Sequence, residues 1–122
     1  MADIPDIRKE LERVYSLSSR LNEGSREVRD NLLSIKNSNN YYFIRYIAGE
    51  QLGFPKNELI EQVKEGIGIL EIRVKSHNDY IATMANSDLK TMVCESDEKE
   101  VRKLARRALG QSGLRIFFGE LL

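Results

Sequence analysis

The chain has 122 residues, enough for one domain with a modest core. Charged residues make up 31% and hydrophobic ones 41%, and nineteen acids balance nineteen bases, which excludes a strongly polybasic binder and an acidic disordered tail. No apolar run approaches the roughly 20 residues of a membrane span, and the single cysteine, Cys94, excludes an internal disulfide or a cysteine-cluster metal site.

Met1 to Asp6 contain neither a basic n-region nor an apolar h-region, so no secretory signal is expected. From Ile4 the apolar positions step by three and four: Ile4, Ile7, Leu11, Val14, Leu21, Val28, Leu32, Ile35. As a heptad this leaves Ser18 and Ser25 as small seam residues, and a period of 3.5 favours left-handed pairing with another helix. Pro5 suits a first helical turn. Gly24 costs about 1 kcal/mol in a helix interior, and two arrangements follow: one long helix with a soft middle, or two helices turning at Asn22 to Gly24. A turn has no reason to keep the heptad in phase, so the prediction is a continuous helix over about 5–37.

Ser38 to Asn40 break the pattern and offer an N-cap for a short aromatic helix over 41–52. Gly53 and Pro55 end it. Pro55 or Asn57 then opens a second long helix, over about 56–86, with a seam of Ile60, Val63, Ile67, Leu70, Val74, His77, Ile81 and Met84. Leu59, Ile72 and Tyr80 widen this stripe. Gly66 and Gly68 weaken the helix and permit tight crossing. Asn86 to Asp88 mark a turn or a new cap, and Leu89 to Cys94 fit either one helical turn or a short extended piece. Ser96 caps a last helix over 97–109, with Val101, Leu104, Ala105, Ala108 and Leu109 as its apolar stripe and Gly110 as its stop. The fold class is therefore all-α: an elongated bundle forming a single helical domain over 1–122, with an apolar docking tail at 112–122.

Four cations, Arg102, Lys103, Arg106 and Arg107, crowd two turns of the last helix, with Arg115 and Arg45 as further bases. They can meet phosphates, although acids at a helix start and bases at its end also complement the macrodipole. Tyr41, Tyr42, Phe43 and Tyr46 around Arg45 can stack bases; bulky rings also suit a short helix packed across longer ones. His77 has no second histidine or thiol spaced for a metal, and at a seam position it serves as a polar register residue. Cys94 reads as a partly buried, inert thiol.

The stretch Arg73 to His77 resembles the arginine–histidine motif of the HEPN helical ribonucleases, with three residues intervening where that family usually has more. The resemblance implies paired active sites across a dimer.

Two apolar stripes of about four heptads each are more than two crossed short helices can cover. The expectation is a cytoplasmic, non-enzymatic interaction or assembly protein without cofactor, metal or membrane contact. It is expected to form a homo-oligomer, a dimer foremost, with room for a further protein partner. The interface is expected at Leu11, Val14, Leu21, Val28, Ile67, Leu70, Val74, His77, Phe117 and Phe118. The alternative is a small nucleic-acid-binding subunit using the basic residues above; a ribonuclease built on Arg73 and His77 ranks third.

Overall fold

Glycines with positive φ and short polar caps divide the described residues into helices of 11 to 18 residues. The computed structural model describes residues 4–110 and is an all-α helical bundle. Among the described residues there is no strand, and six α-helices follow in order: α1 (Ile7–Ser19), α2 (Arg26–Ser38), α3 (Tyr42–Leu52), α4 (Lys56–Arg73), α5 (Asp79–Glu95) and α6 (Lys99–Leu109). No helix among them is long and apolar enough to cross a membrane. The chain falls into two compact units, divided between Gln62 and Val63 inside α4.

The first unit corrects the continuous helix predicted over 5–37. After α1 a single 3-10 turn, Leu21–Glu23, leads to Gly24 at φ 70°, a conformation that costs glycine nothing and other residues strain. Ser25 is the N-cap of α2 rather than a small seam residue; its Oγ accepts from the Val28 N–H at 3.5 Å. The other proposed seam serine, Ser18, donates its hydroxyl to Gln51 Oε1 on α3. Helices α1 and α2 both pack on α3 and on each other. The apolar stripe is thereby folded in half, and Ile7, Leu11, Val14, Val28, Leu32 and Ile35 all become core. Burial of large apolar side chains, at roughly 1.5–3 kcal/mol each, outweighs the gain from one uninterrupted helix.

The aromatic helix α3 lies where the sequence places it. Tyr41, Phe43, Ile44 and Tyr46 are buried, and the Phe43 and Tyr46 rings stack with centroids 6.2 Å apart. The Tyr41 hydroxyl donates to the Pro5 carbonyl, tying the start of the chain to α3. Gly53 ends α3 at φ 84°. Gly49 lets α4 approach: a Cβ there would overlap the side chain of Leu59, itself buried.

The second unit corrects the helix predicted over 56–86 and the turn predicted at Asn86 to Asp88. Helix α4 stops at Arg73, and residues 74–78 form a turn ended by Asn78. The Asn78 Oδ1 accepts from the N–H groups of Tyr80 and Ile81 at 3.0 and 3.2 Å, so a side-chain cap starts a new helix where the seam alone suggested continuity. Asn86 to Asp88 then lie within α5, where the Asn86 Nδ2 donates to the Ala82 carbonyl at 2.9 Å. The Thr91 hydroxyl donates to the Ser87 carbonyl at 2.8 Å, and Asp88 is fully buried and partnered. Leu89 to Cys94 are helical. Helix α5 packs on α6. The buried apolar side chains among the described residues of this unit are Val63, Ile67 and Leu70 of α4, Ala85, Leu89, Met92 and Val93 of α5, and Val101, Ala105, Ala108 and Leu109 of α6. Lys64 and Glu100, 3.1 Å apart, link α4 to α6. Helix α6 begins two residues later than expected. Glu98 occupies its N-cap, and the Ser96 Oγ accepts from the Glu98 N–H at 3.2 Å.

Candidate interaction surface

Helix α4 in the second unit has two unlike faces. Val63, Ile67 and Leu70 recur at steps of four and three and point into the core. Glu65, Ile69 and Ile72 recur with the same spacing on the opposite side. Ile72 is 76% exposed and Ile69 40%. Gly68 lies beside them with nothing within 4 Å of where a Cβ would stand. Inside a helix, and with no packing among the described residues to require it, this glycine costs about 1 kcal/mol relative to alanine. Across the 74–78 turn, Tyr80 and Ile81 in the first turn of α5 are also exposed, at 37% and 39%. Four large apolar residues thus stand in water within a stretch of thirteen residues. Single exposed apolar residues are ordinary on any surface, and a concentration of them is not.

The interface expected from the heptads is redrawn by this geometry. Leu11, Val14, Val28, Ile67 and Leu70 are at most 5% exposed in the single chain, where its own helices cover them. Leu21 is half-buried in the 3-10 turn, and Val74 is half-buried just beyond α4. His77 is exposed in the turn and does not occupy a helical seam, because α4 has already ended. Phe117, Phe118 and the expected docking tail at 112–122 lie outside the described residues. Sequence reasoning missed Ile69. Its signal was available: an isoleucine four residues after Glu65 and three before Ile72, off the seam.

The structure brings together three of the six bases considered for phosphate binding. Lys103, Arg106 and Arg107, with Gly110, line an open hollow of about 350 Å³ at the end of α6. Arg102 is turned to its own chain, its Nη1 donating to the Ser96 carbonyl at 2.7 Å. Arg45 belongs to the first unit; its Nε donates to the Asn39 carbonyl at 2.6 Å, and its guanidinium lies 4.9 Å from the Tyr42 ring centroid. Arg115 lies outside the described residues. Tyr41, Phe43 and Tyr46 are core, with no ring face open to a base; Tyr42 is half-exposed beneath Arg45.

Arg73 is the last residue of α4 and His77 sits in the turn, both exposed, so the two do not share one helix face as in the ribonuclease motif. Cys94 is exposed rather than partly buried, since it falls on the outer side of α5 beside buried Met92 and Val93. No group of three or more histidine, cysteine or acidic side chains placed to hold a metal occurs among the described residues. Comparison of the chain with protein-family models, curated proteins and solved structures gave no match.

Proposed function

We propose that this chain is a non-enzymatic helical interaction protein that assembles with copies of itself, a dimer being the smallest form that satisfies it. The observation that carries this reading is that Ile69 and Ile72 on the outer face of α4 and Tyr80 and Ile81 at the start of α5, all within thirteen residues of chain, are exposed. Removing such side chains from water is the main favourable contribution in most protein associations. Sedimentation equilibrium on the full chain across a wide concentration range tests it. A concentration-dependent rise above the 14.0 kDa of one chain is expected, and a strict monomer at high concentration overturns the reading.

A second reading has its own supporting observation, the hollow bordered by Lys103, Arg106 and Arg107. Three cations around one concavity suit phosphate oxygens, and such binding weakens steeply with salt. Fluorescence anisotropy with labelled single- and double-stranded oligonucleotides at low salt tests it. Salt-sensitive binding lost in the Arg106→Ala and Arg107→Ala pair supports the reading, and absence of binding at low salt removes it.

A further inference from the structure

We infer that the outer face of α4 is the self-association site, and that two copies meet there antiparallel about a two-fold axis passing near Ile69. This inference rests on the assembly reading above and adds to it a face, an orientation and a register.

The charges on that face set the orientation. Glu65 lies four residues before Ile69 and Arg73 four residues after it, so all three stay on one side of the helix. Both charged residues are exposed, and neither side chain makes an ion pair with any described residue. Within one chain they cannot meet, because eight residues of helix separate them by about 12 Å along the axis. Laid parallel, two copies would set Glu65 against Glu65 and Arg73 against Arg73. Laid antiparallel with Ile69 at the centre, the acidic end of each copy faces the basic end of the other, twice, by symmetry. The apolar middle of the face then closes on itself, Ile69 beside its symmetry mate and Ile72 reaching across.

Gly68 fits the same arrangement. It is exposed, its helical backbone needs no glycine, and no neighbour among the described residues crowds it. A missing side chain beside Ile69 and Ile72 lets a second helix come close enough for those residues to be covered. The occupant is a second copy of this chain, since the face complements its own inverse in charge as well as in apolar character.

The test uses the full chain and reads the dimer dissociation constant by sedimentation. Ile72→Asp should raise it at least about tenfold, while circular dichroism and the thermal midpoint measured at concentrations where both proteins are monomeric stay those of the wild type. Glu65→Arg and Arg73→Glu should each weaken the dimer, by about fivefold at low salt, and less at high salt. The double variant carrying both reversals should return to within about twofold of wild type, because each reversed end again meets an opposite charge. That rescue has no intrachain explanation. A dimer indifferent to all four variants overturns the inference and leaves the assembly reading standing, whereas a wild-type monomer overturns both. Ile72→Asp that lowers the stability of a monomer shows the face covered by the chain's own residues, which also overturns the inference.

Discussion

The two units treat heptad-spaced apolar residues differently. In residues 4–62 the stripe is folded in half at Gly24 and both halves are covered by α3. The large apolar residues left exposed there, Ile4, Tyr15 and Leu33, are scattered over separate elements. In residues 63–110 the seam is covered only as far as Leu70; beyond it His77 and Ile81 are exposed, and off it Ile69, Ile72 and Tyr80 also remain outside close to a single turn. A repeating stripe therefore says little about partners until the chain's own use of it is known. Only the part left bare points outward.

Substitutions can break or sharpen this contrast, and the largest effect belongs to the first unit. Leu32 is wholly buried, and Leu32→Ala should cost about 2–5 kcal/mol in urea unfolding. Ile72→Ala should change the unfolding of the monomer by no more than about 0.5 kcal/mol; comparable losses at the two sites would erase the distinction drawn between covered and bare stripe. Next in size is Gly49→Ala. The added methyl meets the buried Leu59 side chain, so a loss of about 1–3 kcal/mol is expected, read as a lower thermal midpoint.

Asn78→Ala removes the acceptor for two backbone N–H groups at the start of α5 and should cost about 1 kcal/mol. Amide exchange of Tyr80 and Ile81 should quicken with it, and unchanged protection would show that the cap contributes nothing. The smallest effect has the opposite sign. Gly68→Ala, with open space around it, should stabilise the monomer by about 0.5–1 kcal/mol, so the two buried-versus-open glycine sites move the midpoint in opposite directions.

Much of the architecture was legible along the chain. The 3.5-residue spacing identified nearly every core position of α1, α2 and α4, and the aromatic helix ended at Gly53 as its composition indicated. The helix breaks were misjudged in both long segments for a common reason. Gly24 with Ser25, and Ser76 with Asn78, carried turn and cap chemistry, but an in-phase seam gave the impression of continuity. Conversely Asn86, Ser87 and Asp88 looked like a turn and are helical: the Asn86 amide donates back to the Ala82 carbonyl, the Ser87 carbonyl accepts from the Thr91 hydroxyl, and Asp88 is buried and partnered.

The candidate surface was less legible than the core. Gly68, Ile72 and Tyr80 attracted notice as features of the buried stripe, and which of them face water follows only from where the core lies. Amino-acid order by itself determined that this protein is helical, which residues share a helix face, and where glycine can end a helix, since these depend on contacts within a turn or two. Whether the chain reverses at Gly24 and at residues 74–78, and hence which apolar faces are used up internally, was decided by tertiary structure. Covering a stripe depends on the helices brought against it, and their arrival is a matter of long-range packing that local periodicity does not encode.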